Sequence, residues 1–375
     1  MLRVPEIFEK KTIKSIDSIF NMEEYKELIR LYIEYGEWFT VAGLRRTGKT
    51  TLVRSIVASM KIPAIYVNLW TFPQGEISLK ILLDKILEKL NETFSGKIRT
   101  IGKKVKEVTI FGIRITFSSN RPSDGLTKII ERTIKAKEKL IIMLDEVQEL
   151  GSDFGKLIRY LAALHDLFSP NLVVILLGSV ISLKNILKRV RGTPLRGRLT
   201  KEIILQPFDT ITAMNFLKKG FGECGIDIPD DVLKSVVEYL GGFPGWLVEF
   251  GKTFIEKYAA KKKYPNPREV LLEVYEEAKE TIYEEIAKLV AQRRKLLNYI
   301  TLLAYTAKNL SITPSEAAEA LRIQRSTAHK YLKYLQERAI LNSRNGVYYI
   351  ADPLIRRVLA EPNAKEQIIS AYSKL

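Results

Sequence analysis

The sequence predicts an α/β fold, in which a parallel sheet is followed by a helical region and a smaller C-terminal unit. Continuous apolar runs at 140–144 (LIIML) and 172–177 (LVVILL) are typical of strands buried on both faces of a parallel sheet. Helical patterns alternate with these strands, as in doubly wound sheets. After Asp209 the strand patterns stop and helical periodicity continues. The sheet is therefore expected in the first half of the chain.

The predicted elements of the sheet region follow from apolar patterning. We expect five strands, at Trp38–Ala42, Ala64–Leu69, Leu140–Leu144, Leu172–Leu177 and Thr200–Leu205. We expect helices at Met22–Tyr35, Thr51–Met60, Ile77–Asn91, Leu126–Lys137, Phe154–Phe168 and Ile181–Val190. This alternation gives a five-stranded parallel sheet covered by helices.

Composition limits the class of protein. The chain has 375 residues, of which 46% are hydrophobic and 27% charged, so we expect two or three globular domains. One cysteine and two histidines exclude an internal disulfide and a zinc cluster. No apolar run reaches the ~18 residues that span a bilayer, and the N-terminal residues do not match a signal peptide. We therefore expect a cytoplasmic protein without membrane contact.

The formal net charge of +17 favours polyanionic partners such as nucleotides or nucleic acids. Part of this charge is clustered, because residues 97–121 carry seven basic side chains and one acidic side chain. Residues 290–375 carry fourteen basic and six acidic side chains. The first cluster includes an alternating stretch, Val105–Phe117, that predicts a hairpin with Gly112 near its turn. Both surface decoration and a binding role fit this insertion.

The stretch VAGLRRTGKTTL at 41–52 holds the complete P-loop pattern G-x-x-x-x-G-K-[ST] between a predicted strand and a predicted helix. The two glycines of such a loop let successive backbone N–H groups point at phosphate oxygens. Lys49 then reaches the β- and γ-phosphates, and the Thr50 hydroxyl binds Mg²⁺. ATP is favoured over GTP because the chain lacks the N/TKxD motif of GTPases. The expected ATP-binding residues are Gly43, Leu44, Arg45, Arg46, Thr47, Gly48, Lys49, Thr50 and Thr51.

The acidic pair Asp145-Glu146 directly follows the apolar run at 140–144. Ligands of open α/β sheets bind at the carboxyl ends of the strands. We expect Asp145 to hold Mg²⁺ together with Thr50, and Glu146 to polarise the attacking water, as in a Walker B motif. A charged turn after a strand is the alternative, and the complete P-loop upstream favours the catalytic interpretation.

Four further residues are candidates because of their positions. Ser179 ends the fourth predicted strand, where it would either contact the γ-phosphate or its water, or only begin a turn. Arg196 and Arg198, in PLRGR, would stabilise transition-state charge from the same chain or from a neighbour. Pro244, in GGFPGW, would place a rigid kink against the nucleotide, or only interrupt a helix.

Residues 309–350 carry the pattern of a winged helix. The stretch TPSE at 313–316 supplies a cap, a first-turn proline and a glutamate that start one helix. A second helix, expected at Ser326–Arg338, would enter the DNA major groove, and a hairpin about Asn345-Gly346 follows it. The residues expected to bind double-stranded DNA are Arg325, Thr327, His329, Lys330, Lys333 and Arg344. Winged helices also bind proteins, so a protein partner is the alternative.

The motifs GLRRTGKTTL, IIMLDE, LLGS, PLRGR, QPF and GGFPGW resemble, in this order, the archaeal ATPase family of the AAA+/STAND P-loop NTPases. The stretch YYIADPLIRRVL is similar to the C-terminal tail of that family. The resemblance implies an AAA+-like sheet in which a sensor strand ending at Ser179 separates the Walker A and Walker B strands. It also implies a helical lid, in which Pro244 contacts the nucleotide, and a winged helix.

These expectations divide the chain into three parts. The P-loop NTPase core covers 1–209, with the basic hairpin insertion at 97–121. A helical lid covers 210–265, and a linker helix with the winged helix-turn-helix domain covers 266–375. The lid shows no evident sensor-2 arginine, which favours a switch over an oligomeric motor, although an oligomer is compatible with the pattern.

The first functional hypothesis is a switch that hydrolyses ATP with Mg²⁺ and is coupled to a DNA-binding winged helix. The second is a nucleotide-gated DNA-binding regulator, such as a replication-initiator-like protein, with little turnover. A signalling switch whose winged helix binds a protein is a further alternative. A kinase is the weakest hypothesis, because no pocket for a small acceptor is readable in the sequence.

Overall fold

The computed structural model describes residues 3–9, 19–72, 77–93, 97–101, 104–110, 113–116, 122–190, 195, 197–261, 263–291 and 293–374. The chain forms two compact units. The sheet unit consists of Met22–Ala42 and Leu52–Ile204. The P-loop unit consists of Met1–Asn21, Gly43–Thr51 and Leu205–Leu375. The phosphate-binding loop predicted at 43–50 thus belongs to the same compact unit as the C-terminal half of the chain.

The strands are β1 (Trp38–Gly43), β2 (Ala64–Asn68), β3 (Lys97–Ile101), β4 (Lys104–Ile110), β5 (Ile113–Thr116), β6 (Leu140–Asp145), β7 (Leu172–Gly178), β8 (Leu199–Leu205), β9 (Asn342–Arg344) and β10 (Val347–Tyr349). The helices up to residue 222 are α1 (Glu23–Glu34), α2 (Lys49–Ser59), α3 (Leu79–Thr93), α4 (Pro122–Lys137), α5 (Phe154–Phe168), α6 (Val180–Val190) and α7 (Thr210–Gly222). The later helices are α8 (Asp230–Leu240), α9 (Pro244–Lys261), α10 (Pro267–Val290), α11 (Leu296–Asn309), α12 (Pro314–Leu321), α13 (Arg325–Glu337), α14 (Pro353–Leu359) and α15 (Ala364–Tyr372). Short 3₁₀ helices lie at Glu6–Phe8, Leu69–Thr71 and Val147–Asp153.

The main sheet is parallel and five-stranded, in the order β2-β6-β7-β1-β8. All residues of β1, β6 and β7 are buried, whereas the edge strands β2 and β8 each include residues that are only partly buried or exposed. The continuous apolar runs therefore mark the central strands, as their composition predicts. β7 lies between β1 and β6, which confirms the expectation that one strand separates the P-loop strand from the strand that carries the acidic pair.

The register brings the carboxyl ends of the central strands to one edge of the sheet. Ala42, the last residue of β1 inside the sheet unit, pairs with Gly178 of β7, and Leu144 of β6 pairs with Leu176. The helices α3, α4 and α5 contribute their apolar faces to the buried cluster that covers the sheet. Among the described residues, none of the helices has both the length and the apolar character needed to cross a bilayer.

The basic insertion forms a separate antiparallel sheet in the order β3-β4-β5. The predicted hairpin is present as β4 and β5, which pair from Ile110↔Ile113 to Glu107↔Thr116. Its expected turn residue, Gly112, lies outside the described residues. The strand β3 was not predicted, because its sequence KIRTI is short and its charged residues hide the alternation.

The P-loop unit is mostly helical after β8. The helices α7, α8 and α9 occupy the region expected to be a helical lid, and α10 begins at Pro267, where the linker helix was expected. The predicted cap, proline and glutamate at 313–316 form a capping box at the start of α12. α13 buries Ala328, Leu332 and Leu335, as the periodicity indicates. The final helices α14 and α15 were not predicted.

Candidate nucleotide-binding site

The phosphate-binding loop joins the end of β1 to the start of α2. At Gly43 a Cβ atom would lie 2.8 Å from the Leu205 carbonyl oxygen and 2.8 Å from Thr47 Oγ1, so only glycine fits there. Gly48 has φ +88°, a backbone conformation that favours glycine. Glycine is therefore needed at the two fixed positions for different reasons: a close approach of neighbouring atoms at Gly43 and a left-handed backbone conformation at Gly48.

Lys49 is folded over the loop. Its side chain is buried, and Nζ donates hydrogen bonds to the carbonyl oxygens of Gly43 (3.1 Å) and Leu44 (2.7 Å). Thr47 Oγ1 donates to the same Leu44 carbonyl at 2.9 Å. A buried ammonium at this place in the loop is suited to bind phosphate oxygens, because charge-assisted hydrogen bonds are stronger than neutral ones. Thr50 and Thr51 follow, half-buried, in the first turn of α2.

The acidic pair lies at the carboxyl end of β6 in the sheet unit. Asp145 is buried, and its two oxygens accept hydrogen bonds from Tyr66 Oη (2.8 Å) and from the Glu146 backbone N–H (2.9 Å). Arg54, on α2, lies over the ring of Tyr66 with its Cζ atom 4.7 Å from the centroid. The Asp145 carboxylate is therefore fixed in orientation by the neighbouring strand.

Glu146 has φ +53°, a strained backbone conformation for a residue other than glycine. Its carboxylate accepts a hydrogen bond from Gln148 Nε2. Gln148 in turn lies against β7, since its Oε1 atom is 2.7 Å from the position of a Cβ at Gly178. The strained backbone and the contact with Gln148 together set the direction of the Glu146 side chain.

The predicted sensor serine and arginines have structural contacts. Ser179 is buried, and its Oγ atom accepts a hydrogen bond from the Ser182 N–H (3.1 Å) at the start of α6. Arg198 pairs with Asp166 of α5 at 2.6 Å and donates to the Ala162 carbonyl at 3.3 Å. Arg198 is thus engaged with α5. Arg196 lies outside the described residues.

The loop contacts α9 inside the P-loop unit. Pro244 is the first residue of α9 and is buried. The backbone N–H of Gly245 donates to the Arg46 carbonyl at 3.1 Å, and a Cβ at Gly245 would lie 2.9 Å from the Arg46 Cβ. The segment GGFPGW therefore approaches the phosphate-binding loop closely, and the approach requires a glycine at Gly245.

The sequence profile of one protein family, described as an ATPase domain predominantly from Archaea, matches residues 23–250. The chain belongs to this family. The matched range includes the phosphate-binding loop, the acidic pair Asp145-Glu146 and the start of α9. No curated protein matches the sequence of this archaeal-type ATPase.

Solved structures agree with this family. A Walker-type ATPase of Pyrococcus abyssi is 26% identical, with a TM-score of 0.74 over 95% of this chain and 100% of that one. The ORC2 protein of Aeropyrum pernix, in ADPNP–ADP complexes, is 16% identical, with a TM-score of 0.62 over 100% and 99% of the two chains. The ORC1 protein of Aeropyrum pernix, in complex with DNA, is 13% identical, with a TM-score of 0.53 over 97% of each chain. This ATPase therefore has the α/β P-loop fold of Walker-type and AAA+ proteins.

The residues predicted to bind DNA lie on α13 and on the hairpin that follows it. Arg325, His329, Lys330 and Lys333 are exposed, and Thr327 is half-buried. Arg344 is exposed at the end of β9, directly before the turn. Asn345 and Gly346 have φ +51° and +79°, as a two-residue hairpin turn with positive φ requires. The ATPase thus presents the cationic side chains of Arg325, Lys330, Lys333 and Arg344 to solvent on one helix and its adjoining hairpin.

Several residues at the site were not identified from the sequence. They are the polar or aromatic partners of the motif residues, namely Tyr66, Gln148, Trp246, Glu285 and Asp352. Trp246 and Asp352 lie in stretches that the family resemblance singles out, GGFPGW and YYIADPLIRRVL. No local sequence pattern indicates which residues these five side chains contact, because each contact forms only in the folded chain.

Proposed function

We propose that this chain is an ATP-binding, Mg²⁺-dependent ATPase that acts as a switch coupled to a DNA-binding C-terminal module. The observation that carries the proposal is the complete phosphate-binding loop with its buried, loop-bound Lys49. The oriented acidic pair Asp145-Glu146 at the end of β6 supports hydrolysis over binding alone. We propose that the chain is organised as a core at 1–209, a lid at 210–265 and a C-terminal module at 266–375.

Each residue of the motifs has one proposed role. The loop N–H groups and Lys49 bind the phosphates, where Lys49 exchanges its carbonyl partners for phosphate oxygens. Thr50 and Asp145 would supply oxygen ligands of the kind that Mg²⁺ prefers. When bound, the metal neutralises phosphate charge.

Glu146 polarises the attacking water, because a carboxylate held in a fixed direction by Gln148 is a suitable general base. Ser179, Arg196, Arg198 and Pro244 stay predictions for contacts with the nucleotide. For Arg198, such a contact requires release of the ion pair with Asp166.

The proposed DNA surface is the exposed face of α13 together with Arg344. Lysine and arginine side chains on a helix-turn-helix bind phosphates and base edges in the major groove. The DNA complex of the Aeropyrum pernix ORC1 protein, which shares the fold, supports this assignment. A protein partner for the same surface is the competing proposal.

Hydrolysis is tested by ATP turnover of the wild type, Glu146→Gln and the matched control Glu284→Gln, an exposed glutamate on α10. We expect Glu146→Gln to bind ATP normally and to lose turnover by about 100-fold or more, because general-base catalysis contributes at least that factor. Glu284→Gln should hydrolyse ATP like the wild type. Equal turnover in the wild type and Glu146→Gln would remove Glu146 from the mechanism.

Coupling to DNA is tested with the same enzyme, with and without duplex DNA, at two salt concentrations. Lys330→Ala/Lys333→Ala should weaken DNA binding and reduce the slope of log affinity against log salt by about 2, since each phosphate contact contributes about 1. Lys365→Ala, on α15, is the control for an exposed lysine elsewhere in the module. If the α13 substitutions leave the affinity for DNA unchanged, the result would favour the protein-partner switch. DNA binding with negligible ATP turnover would favour the nucleotide-gated regulator.

A further inference from the structure

Arg46 occupies a variable position of the phosphate-binding loop, yet it has extensive contacts outside the loop. Its backbone has φ +64°, the left-handed region that side-chain-bearing residues rarely adopt. Its guanidinium stacks on Trp246 of α9, with Cζ 4.1 Å from the ring centroid, and Nη2 pairs with Glu285 Oε1 of α10 at 2.8 Å. All three residues belong to the P-loop unit.

The carboxylate of Glu285 pairs with both arginines of the loop, Arg45 and Arg46. Arg45 Nη1 lies 3.7 Å from its second oxygen, Oε2. The side chains of Arg45 and Arg46 are 13% and 14% exposed and that of Glu285 is 24% exposed, so water screens these pairs less than it screens surface ion pairs. The C-terminal part of α10 is therefore held to the phosphate-binding loop by two charged contacts to one carboxylate.

Trp246 continues the contact into the last part of the chain. Its Nε1–H donates to Asp352 Oδ2 at 2.7 Å, and both side chains are buried. The other oxygen of Asp352 accepts from the N–H groups of Leu354 (2.9 Å) and Ile355 (3.1 Å), which caps α14. Arg46, Trp246 and Asp352 thus form a continuous series of contacts from the loop to the start of α14.

We propose that Arg46 is a positioning residue that links the phosphate-binding loop to the C-terminal module through Trp246, Glu285 and Asp352. The proposal deepens the proposed nucleotide-binding function and rests on it. The side-chain contacts hold Arg46 in a left-handed backbone conformation that is unfavourable without such support. A loop already held in one conformation loses less entropy when a nucleotide binds, so these contacts raise the affinity for nucleotide.

The coupling is reciprocal. If the contacts of Arg46 raise nucleotide affinity, bound nucleotide must stabilise the same contacts by the same factor. The cap of α14 lies at the far end of the series, so nucleotide should slow hydrogen exchange at the amides of Leu354 and Ile355. A purely structural role for Arg46 predicts no such dependence on nucleotide.

The test measures the affinity of a non-hydrolysable ATP analogue with Mg²⁺ by calorimetry, for the wild type, Arg46→Ala, Glu285→Gln and their double variant. We expect each single variant to weaken binding by about 10-fold, within the range of ordinary coupling between sites. The double variant should lose little more than either single one, because the two side chains act through one contact. Glu284→Gln makes the same charge change one residue earlier on α10 and should bind like the wild type.

Thermal unfolding without nucleotide checks that the variants are folded, and amide exchange at 354 and 355 is recorded with and without the analogue. If wild type binds the analogue and Lys49→Ala does not, while Arg46→Ala and Glu285→Gln match Glu284→Gln, the inference is overturned and the proposed function stands. Unchanged exchange at 354 and 355 in wild type overturns it as well. A wild type that does not bind the analogue overturns both proposals.

Discussion

The carboxylate of Asp352 both caps α14 and accepts a hydrogen bond from Trp246. Two different substitutions of Asp352 can separate the contributions of these two interactions to stability. Oδ1 accepts two backbone N–H groups of α14, and Oδ2 accepts the indole N–H of Trp246. Asp352→Ala removes all three hydrogen bonds. Asp352→Asn keeps an oxygen for the helix cap and places its amide N–H₂ against the indole N–H. The asparagine variant therefore loses only the bond to Trp246.

The magnitude follows from the burial of these groups. Loss of an N-cap costs about 1 kcal/mol, and a buried indole N–H left without a partner costs about 1–3 kcal/mol. Burial raises the pKa of Asp352, against the opposing charge of Arg46, so removal of the carboxylate also returns part of its desolvation energy. We therefore expect Asp352→Ala to lower the free energy of unfolding of the P-loop unit by about 2 kcal/mol. Asp352→Asn should lose about half as much.

The assay is urea unfolding at neutral pH, followed by tryptophan fluorescence and by far-ultraviolet circular dichroism. Asp209→Ala is the matched control, because Asp209 caps α7 of the same unit by accepting from the Thr212 N–H (2.8 Å) but is exposed. The control should lose less stability than Asp352→Ala. A loss in Asp352→Ala no larger than in Asp209→Ala would refute the energetic role of the bond to Trp246.

Two further predictions follow from the described contacts. Burial alone would raise the pKa of Glu361, but hydrogen bonds from Tyr275, Lys279 and Tyr283 outweigh it and hold that pKa below its usual 4.5. The resulting contribution to the free energy of unfolding is present above about pH 4.5 and is lost as the pH falls through the folded pKa. In Glu361→Gln, the urea midpoint should therefore fall less steeply with decreasing pH than in the wild type. Equal slopes in the two proteins would contradict this. Gly43→Ala should weaken ATP binding by about 10-fold or more, because overpacking by one methyl costs about 1–3 kcal/mol, whereas Gly155→Ala, with nothing within 4 Å of its Cβ position, should bind ATP normally. Equal affinities of the two glycine variants would show that the loop accommodates the methyl group.

Features encoded in short stretches of sequence could be predicted. The apolar runs at 140–144 and 172–177 identified the strands buried on both faces, because only central strands of a parallel sheet exclude water on both sides. The capping box at 313–316 and the hairpin at Asn345-Gly346 were equally readable, since cap and turn chemistry depends on adjacent residues. The order β6-β7-β1 came from the family resemblance, because strand order is not a local property.

Contacts between residues far apart in the chain could not be predicted. Tyr66 reaches Asp145 only because β2 and β6 pair in a register that places their last residues side by side. Trp246 and Glu285 lie 200 and 239 residues after Arg46. Neither the period nor the composition of their helices distinguishes these two positions from other buried or half-buried ones. The carboxylates of Asp145 and Glu146 were predicted and their orienting partners were not, since a motif records the reacting groups and leaves the residues that orient them unspecified.

The same reasoning explains why the two arginines can serve the loop without binding phosphate through their side chains. In the pattern G-x-x-x-x-G-K-[ST], phosphate is bound by backbone N–H groups and by the fixed lysine, so the side chains at the variable positions are not required for that task. In this chain two of those positions carry Arg45 and Arg46, and both side chains pair with Glu285. Hydrophobic or small residues there would keep the backbone N–H groups that bind phosphate but would remove the contacts that hold the loop to α9 and α10. The variable positions of the motif are thus the positions through which this loop is attached to α9 and α10.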